Sequence, residues 1–440
     1  MKKICWLIPH VPSMVSSSYG RPSQKKAGWI EAYIGSISDM PYDFHVYCFG
    51  GDGFEELRVA NVLFRSVPDS HTRGMVNKLI PFYLRRRWDL SCIVKSLMNI
   101  VKQEPYDLMH VHGSETGLGL VGSLTGSPVA LSLQGLKNAI SQRYFGSLKW
   151  SERFSGSFTP HGLMTVARGY GIPWGEYYSR QDAQLERTVI QCCDAFLGKT
   201  PFDEAMIRAL KPEAAYYRQG IHLRQTTSQR LWKARDESLS HKILCVSAGE
   251  PYKGLDTLVT AAVKASNHLE KPVELQIVGA VSSSMRKILT KRLSVSQGRL
   301  SLTLPGSMSA ESIDDAILSV DMLVVSSFIE NECHALLEAM RLGCPCITTS
   351  VGGIKSYARA ENNTLLFDPG NDLELAGLII KLIHDRSLQE TLSRNAVTTV
   401  AALANPPLPE LLGGIYESAL KGSWLPSISA RKLKWSIQGC

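Results

Sequence analysis

The amino-acid sequence predicts an α/β fold with two doubly wound parallel sheets. Short apolar runs alternate with helical patterns along most of the chain, and this alternation is typical of parallel strands joined by crossover helices. The chain has 440 residues. That length is too great for one hydrophobic core and fits two domains of about 200 residues each. We therefore expect two sheets, each with its own core.

The first half of the chain supplies the first sheet. Its apolar runs predict strands at 3–9, 44–49, 62–67, 107–112, 128–133 and 195–198, and its helical patterns predict helices at 29–37, 90–102 and 184–192. In such a sheet, ligands collect at the carboxyl ends of the strands. His112 and Gln134 end two of these strands, so both are candidates for the cleft. A strand-end histidine can also simply bond to a neighbouring backbone group.

Three stretches of this half leave two interpretations open. The loop at 10–27, which contains Gly20, is a flexible surface loop or a ligand cradle. The aperiodic segment 140–180 is a lid over the first domain's side of the cleft or a set of short helices. Around Arg85–Arg87, basic and aromatic residues stand together at a helix start, which is typical of an amphipathic helix on the sheet or of a peripheral membrane surface.

The second half begins after a polar, aperiodic stretch at 225–242, which we interpret as an interdomain linker. A strand, a turn and a helix that opens at Gly254 follow in ILCVSAGEPYKGLDTLVTAAVKA. Lys253 stands at the N-terminus of this helix, where a cation is unfavourable by a few tenths to about 1 kcal/mol. A bound phosphate would reverse that penalty, so Lys253 is a candidate anion-binding residue. Further strands are predicted at 274–278 and 300–304.

The most informative stretch is 322–350, which reads as strand, loop, helix and strand. Glu330 lies in the loop, and Glu338 lies eight residues later inside the helix. Two carboxylates at this separation are poorly placed to act as a close acid/base pair. They are suited to hold hydroxyl groups at two ends of one ligand, with the helix N-terminus between them taking an anion.

The spacing Glu330-x7-Glu338, followed by EAMRLGCPCITTSVGG and LLFDPGND, resembles the retaining glycosyltransferases of family 4, also called glycosyl transferase group 1. The resemblance covers nearly the full length and is most specific at 326–372. It implies a GT-B fold, in which two Rossmann-like domains face a cleft. It also implies that Glu330 contacts the donor sugar, Glu338 the nucleotide ribose and Lys253 the donor diphosphate, with Glu330 and Lys253 as the catalytic pair.

The same resemblance implies further contacts with the donor. They fall at the strand ends and the helix start of the second half, at Ser247, Gly249, Gly306, Met308, Cys333, His334 and Ala335. On the acceptor side it implies Gly20, His112 and Gln134. This chain departs from the family at two positions, because the family has an arginine where Ser247 stands and often a histidine where Gln134 stands. The donor diphosphate therefore needs another source of positive charge.

Composition limits the class of protein. With 44% hydrophobic and 20% charged residues the chain reads as globular, and no apolar run reaches the roughly 18 residues of a membrane span. The start, MKKICWLIPHVPS, favours a first strand over a signal peptide. Ten cysteines without a CxxC pair favour reduced thiols in the cytoplasm. The net charge of +8 lies entirely in the first 240 residues, which favours an anionic partner or membrane surface, or only solubility.

We therefore expect an acceptor-binding domain at 1–228, a linker at 229–241, a nucleotide-sugar domain at 242–406, and a final helix at 407–440 that returns to the first domain and ends in a tail. The resemblance implies a hexosyltransferase that transfers a sugar from a nucleoside diphosphate sugar to a saccharide or lipid-linked acceptor in cell-surface polysaccharide synthesis. We expect it in the cytoplasm or at the inner face of the membrane, with no nucleic-acid partner.

No cofactor and no metal is expected, because the chain has no DxD-like pair at a strand end of the cleft. Two alternatives remain. The chain can be a non-catalytic nucleotide-sugar-binding or scaffold protein that keeps the fold, as Ser247 and Gln134 suggest. It can also be a nucleotide-sugar epimerase of the same shape, which would need no acceptor.

Overall fold

A computed structural model of the chain contains one mostly parallel and one wholly parallel sheet, which meet along their carboxyl edges. The structure describes residues 1–19, 33–35, 37–51, 54, 56–68, 81–154, 157–158, 160–224, 230–235, 239–403 and 407–422. Gly20 and the residues after 422 lie outside this range, as does most of the predicted helix at 29–37. The predicted α/β fold with two doubly wound domains is confirmed.

The first sheet has eight strands in the order β3-β4-β2-β1-β5-β6-β7-β8. They are β1 Lys3–Ile8, β2 Asp43–Gly51, β3 Glu56–Val59, β4 Val62–Pro68, β5 Leu108–His112, β6 Val129–Ser132, β7 Ala195–Gly198 and β8 Ala215–Arg218. All neighbours pair in parallel except β3 and β4. The edge strands β3 and β8 were not predicted, because neither is a continuous apolar run and neither is fully buried.

The second sheet has six strands, all parallel, in the order β11-β10-β9-β12-β13-β14. They are β9 His241–Val246, β10 Val273–Val278, β11 Leu300–Gly306, β12 Met322–Val325, β13 Cys346–Thr349 and β14 Leu365–Phe367. This is the strand order of dinucleotide-binding folds. The first three strands extend the sheet in one direction and the next three extend it in the other, so the order reverses between the first and the fourth strand. The crevice outside β9 and β12 is therefore where a ligand is expected.

Helices cover both faces of each sheet. In chain order they are α1 Ser13–Ser18, α2 Phe82–Gln103, α3 Lys137–Gln142, α4 Trp150–Arg153, α5 Pro160–Ala167, α6 Ile172–Cys192, α7 Pro201–Leu210, α8 Leu255–Ser266, α9 Ser283–Leu293, α10 Ala310–Leu318, α11 His334–Arg341, α12 Asp372–His384, α13 Arg386–Ala402 and α14 Leu408–Leu420. Each face of each sheet has its own apolar cluster. Within the described ranges, no helix has both the length and the apolar composition that a bilayer crossing requires.

The last helix, α14, packs on the first sheet although it follows the second one in the chain. Its Tyr416 is fully buried, accepts a hydrogen bond from Trp6 Nε1 at 3.0 Å and lies 2.6 Å from His110 Nδ1. The chain thus crosses between the two domains twice. One crossing lies between β8 and β9, and the other precedes α14.

The segment at 140–180 contains short helices, the second of the two interpretations. Its contacts reach the second domain, so it does not serve only the first domain's side of the cleft. Ser147 Oγ donates to Asp256 Oδ2 at 2.6 Å, and Arg292 lies 3.0 Å from Glu152. Because Asp256 opens α8, this segment joins the two domains beside the helix that carries the predicted anion site.

The stretch predicted as a linker is only partly described. Its Trp232 is 5% exposed, and its indole nitrogen donates to the carbonyl of Val320 at 2.7 Å. The Trp232 backbone nitrogen donates to the carbonyl of Leu342 at 2.8 Å. Trp232 is therefore part of the second domain's packing.

Candidate functional site

A cavity of about 570 Å³ opens at the carboxyl edge of the second sheet, in the crevice between β9 and β12. Its walls come from the loops after β9, β10, β11 and β12 and from the start of α11. The predicted donor residues that line it are Ser247, Lys253, Met308, Glu330, Cys333, His334 and Ala335. The sequence thus predicted seven of its lining residues from different parts of the second domain.

Lys253 reaches this cavity because the turn before α8 packs tightly against β12. Gly254 has a φ of 65°, and a Cβ there would lie 2.2 Å from the backbone oxygen of Ser326. Only glycine avoids both the unfavourable conformation and the contact. The close approach brings the Lys253 side chain to the loop that follows β12.

Lys253 and Glu330 form an ion pair. Lys253 Nζ donates to Glu330 Oε1 at 2.6 Å, and Ser327 Oγ donates to the same oxygen at 2.6 Å. Burial alone would lower the pKa of Lys253, but the carboxylate of Glu330 outweighs burial and raises this pKa. Lys253, which was assigned to the diphosphate, and Glu330, which was assigned to the sugar, therefore form one charge-neutral pair in this structure.

Gly352 and Gly353, which end the motif EAMRLGCPCITTSVGG, lie close to the loop that carries Glu330. A Cβ on Gly352 would lie 1.9 Å from the Glu330 backbone oxygen, and one on Gly353 would lie 1.8 Å from that of Asn331. The Gly353 backbone nitrogen also donates to the Glu330 carbonyl at 3.1 Å. These glycines therefore fix the backbone on which Glu330 stands.

Glu338 does not line the cavity, and its contact with a nucleotide ribose stays a prediction. Its Oε1 accepts from Arg224 Nε at 2.8 Å, and the same guanidinium contacts Asp314. Arg224 follows β8 and joins α11, through Glu338, to α10, through Asp314 and the Ala310 carbonyl. Nothing in the sequence marks this arginine, because it is far from Glu338 in the chain and in no motif.

Gly249 and Gly306, two further positions predicted to contact the donor, lie next to the cavity but do not line it. Gly249 donates its backbone N–H to the Ala280 carbonyl at 2.8 Å, and a Cβ there would lie 2.8 Å from Val281 Cα. Gly306 ends β11 and accepts from the Gly279 backbone nitrogen at 2.9 Å. Both glycines thus hold neighbouring loops together at the cavity rim.

Glu332 lines the cavity and was missed by the sequence analysis. Its side chain is 3% exposed, with Oε2 at 2.6 Å from Lys199 Nζ and Oε1 at 2.8 Å from His334 Nε2. Burial would raise its pKa, but Lys199 and His334 outweigh burial and lower the pKa of Glu332 to about 2. Glu332 is thus an anion at neutral pH. A third acidic residue inside ENECH was the available signal, whereas nothing in the sequence marked Lys199.

The contact between Lys199 and Glu332 also joins the domains, because Lys199 follows β7 of the first sheet. Next to it, Asn331 Nδ2 donates to the Gln134 carbonyl at 3.0 Å, and Thr200 Oγ1 donates to Asn331 Oδ1 at 3.3 Å. Gln134 therefore lies where the two carboxyl edges meet, and its Oε1 lies 3.4 Å from Lys199 Nζ.

His112 was predicted in the cleft, and this placement is wrong. Its side chain has no exposed surface and its ring stacks 4.3 Å from that of His110. Trp6 lies 4.4 Å away and Tyr33 lies 5.7 Å away. Burial lowers the pKa of His112 well below its usual value, so it is a neutral member of an aromatic core.

Two cysteines line the cavity but are unsuited to act as nucleophiles. Burial raises the pKa of Cys245 to about 12 and also raises that of Cys333. A thiol that stays protonated is a weak nucleophile and a weak metal ligand. Across the part of the chain that the structure describes, no group of three or more histidine, cysteine, aspartate or glutamate side chains is arranged to hold a metal ion.

Residues 232–399, which include the whole cavity wall, match the family model of glycosyl transferases group 1. A relative with 26% identity over 165 residues is alpha-D-kanosaminyltransferase of Streptomyces kanamyceticus, and the match spans 37% of this chain and 42% of the relative. The chain therefore spans less than half of this relative's length.

Solved structures resemble the chain over nearly its full length. Sucrose-phosphate synthase from Thermosynechococcus elongatus aligns with a TM-score of 0.65 at 16% identity, over 96% of this chain and 100% of that one. Anabaena HepE, solved with UDP and glucose, aligns with a TM-score of 0.59 at 14% identity, over 95% and 99%. WaaG, a glycosyltransferase involved in lipopolysaccharide biosynthesis, aligns with a TM-score of 0.58 at 16% identity, over 94% and 99%. These likenesses show that the chain has the GT-B fold, and its second domain carries the match to glycosyl transferases group 1.

Proposed function

We propose that the chain is a retaining glycosyltransferase of family 4. It transfers a hexose-type sugar from a nucleoside diphosphate sugar to a saccharide or lipid-linked acceptor. The cavity carries this proposal, because it combines a lysine–glutamate pair with the start of α11 at the switch point of a dinucleotide-type sheet. The match to glycosyl transferases group 1 covers the same domain and supports the same assignment.

The residues present suit a donor that carries both a diphosphate and hydroxyl groups. Lys253 and the N-terminal amides of α11 provide positive potential for the diphosphate. Glu330 can accept hydrogen bonds from sugar hydroxyls, and each charge-assisted bond of this kind contributes about 1.5 to 3 kcal/mol. Catalysis then rests on stabilising the departing diphosphate and on positioning the acceptor. We propose that the donor needs no divalent metal.

The first domain would bind the acceptor, and its surface has features of proteins that act at a membrane. Several of its large apolar side chains are strongly exposed, among them Trp150 at 73% and Phe158 at 81%, with Trp88 at 49%. Aromatic residues of this kind beside basic ones are typical of proteins that lie on a membrane surface. We therefore propose a cytoplasmic protein at the inner face of the membrane, with a lipid-linked acceptor in cell-surface polysaccharide synthesis. Lipopolysaccharide and exopolysaccharide are the candidate products.

Two observations keep a non-catalytic binding protein as the second candidate. Ser247 lines the cavity where the family has an arginine, and the Lys253 ammonium is already paired with Glu330. Such a protein would bind a nucleotide sugar and leave it intact. A nucleotide-sugar epimerase would convert the donor without any acceptor.

A thermal-shift panel tests the proposal. UDP, GDP, ADP and their common sugar derivatives are added separately, and a ligand that binds only the folded chain raises the melting temperature by mass action. We expect one base to stand out and its sugar form to bind at least as well as the bare diphosphate. No shift with any of them would overturn the proposal. Release of the nucleoside diphosphate only when an acceptor is added would then separate transfer from mere binding and from epimerisation.

A further inference from the structure

Among the side chains that the structure describes around the cavity, each lysine is already paired with a carboxylate. Among the described lining residues, Lys253 is neutralised by Glu330, and Glu332 is neutralised from behind by Lys199. Ser247 adds no charge. A nucleoside diphosphate carries at least two negative charges at neutral pH, so its binding in this cavity requires a further positive charge.

His334 is the lining residue that can gain this charge. It is the first residue of α11, its side chain is 37% exposed, and its Nε2 lies 2.8 Å from Glu332 Oε1. Because ionised Glu332 can only accept a hydrogen bond, the tautomer suited to this contact carries its proton on Nε2. In the neutral ring Nδ1 then holds a lone pair, which repels a phosphate oxygen. In the charged ring Nδ1 is a donor.

The charged groups around His334 come from both domains. Glu332 lies in the loop that leads into α11 and is the anion in direct contact with His334. Lys199 faces the other Glu332 oxygen from the first domain, and His222 lies beside this pair, where burial lowers the pKa of His222. In the same loop Glu330 is paired with Lys253, so these two charges cancel each other. The remaining lining side chains from the loops after β9 and β11 are uncharged.

We infer that His334 is the second cation of the diphosphate site, that Glu332 orients it, and that binding of the diphosphate takes up a proton at Nδ1. The imidazolium then donates from Nε2 to Glu332 and from Nδ1 to a phosphate oxygen. It thus supplies the charge that Ser247 does not supply. This inference rests on the proposed function, because it names how the same cavity holds its donor.

Lys199 has a positioning role in this arrangement. It holds Glu332 from the first domain, so the closed contact between the domains keeps the carboxylate under His334. Opening of the cleft would separate Lys199 from Glu332. The inference therefore links the affinity for the diphosphate to the contact between the two domains.

Calorimetry with the nucleoside diphosphate selected by the thermal-shift panel tests the inference. Titrations are run between about pH 7.5 and 9, where the terminal phosphate is fully ionised, in buffers that differ in ionisation enthalpy. We expect net proton uptake of up to one per site, and a Kd that rises up to about tenfold per pH unit. The matching nucleoside without phosphates should show neither effect.

Three variants assign the proton to one ring. His334→Gln should lose the uptake and bind the diphosphate about tenfold more weakly at pH 7.5, with little difference from the original chain at pH 9. His334→Lys carries a permanent charge and should bind without uptake and without pH dependence. His268→Gln, at an exposed histidine beyond the C-terminus of α8, is the matched control and should behave like the original chain.

The outcomes are distinguishable from failure of the proposed function. If no nucleoside diphosphate binds the original chain, the proposed function fails and this inference fails with it. If one binds and uptake persists in His334→Gln, or the affinity of that variant is unchanged, only this inference is overturned. Binding that disappears on addition of a chelator would assign the missing charge to a metal and would also overturn it. Circular dichroism of each variant confirms that the chain is folded.

Discussion

The carboxyl edges of the two sheets meet at one cleft, but they use their polar side chains differently. In the second domain, charged side chains from the ends of β9 and β12 surround an open cavity of about 570 Å³. In the first domain, the described polar residues at strand ends are engaged by the protein itself. His112 is buried, while Gln134 and Lys199 contact the second domain. The second edge is therefore built to receive a ligand, and the first edge is built largely to close on the second.

The largest effect that we expect is a loss of stability when the Lys199–Glu332 contact between the two edges is broken. Lys199→Met leaves Glu332 as a buried carboxylate without its main partner, and loss of one member of a buried pair costs about 3 to 5 kcal/mol. We expect the free energy of unfolding, measured in urea, to fall by that amount. Lys264→Met breaks an ion pair of the same length on a more exposed surface, with side chains 38% and 28% exposed, and should cost at most about 1 kcal/mol.

A double variant, Lys199→Met with Glu332→Met, sharpens this test. Replacing both charges with apolar side chains of similar length should restore most of the lost stability. If Lys199→Met cost no more than Lys264→Met, the first edge would not depend on this contact.

Acid should weaken the same contact. The pKa of Glu332 is about 2 in the folded chain against an ordinary 4.5, because Lys199 and His334 outweigh the opposing effect of burial. A lowered carboxyl pKa stabilises the fold above the ordinary value, and this contribution is lost as pH falls from about 4.5 towards 2. The shift corresponds to about 3 kcal/mol. Unfolding measured across this range should show a flatter slope in Glu332→Gln, and an unchanged slope would contradict the assigned role.

The next effect concerns the open edge, and it separates Lys253 from Glu330. Lys253→Ala should weaken binding of the bare diphosphate and of its sugar form by about 1.5 to 3 kcal/mol each. Glu330→Gln frees the Lys253 ammonium from its partner, so the bare diphosphate should bind equally well or more tightly while the sugar form binds more weakly. Calorimetry of both ligands decides the matter, with and without chelator. Equal losses for both ligands in both variants would show that the pair acts only as a structural unit.

The sequence predicted the second edge better than the first, for a physical reason. In the second domain the motif residues lie on consecutive loops of one sheet, so strand periodicity places them at the same edge. The ion pair of Lys253 with Glu330 was still missed, because sequence spacing does not show which side chains meet. The sequence also does not show that Gly352 and Gly353 lie against the backbone of the loop that carries Glu330.

In the first domain, the pattern predicted the central strands but not the surroundings of their ends. His112 ends a strand as expected, yet Trp6, Tyr33 and His110 surround it. Trp6 and Tyr33 come from distant parts of the chain. The same holds for Lys199 with Glu332 and for Arg224 with Glu338, where each pair joins elements more than a hundred residues apart. Long-range ion pairs of this kind leave no local pattern in a single sequence.

The aromatic core of the first edge gives a smaller expected effect. Tyr416→Phe removes the hydroxyl that accepts from Trp6 and bonds to His110, which leaves two buried nitrogen groups short of a partner. We expect a loss of about 1 to 3 kcal/mol in thermal unfolding. Tyr42→Phe is the matched control, since this ring packs 5.8 Å from that of Tyr416 and its hydroxyl bonds to no described residue. Equal losses in both variants would mean that α14 docks by apolar contact alone.

The smallest effect expected is at the outer surface of the first domain. Arg86 belongs to the basic run for which a membrane surface was one of two interpretations. It pairs with Asp182 and lies 4.9 Å from the centre of the Tyr178 ring, so its charge serves the fold. The exposed rings of Trp150 and Phe158 are better suited to enter an interface. Trp150→Ser with Phe158→Ser should reduce binding to vesicles of mixed neutral and anionic lipid several-fold in a sedimentation assay. Trp88→Ser should have a smaller effect, because that ring is only 49% exposed.

Added salt should weaken the binding of the original chain to these vesicles by screening its basic first half. Vesicle binding that neither salt nor the double variant changes would leave the net charge as a solubility feature and would favour a soluble acceptor.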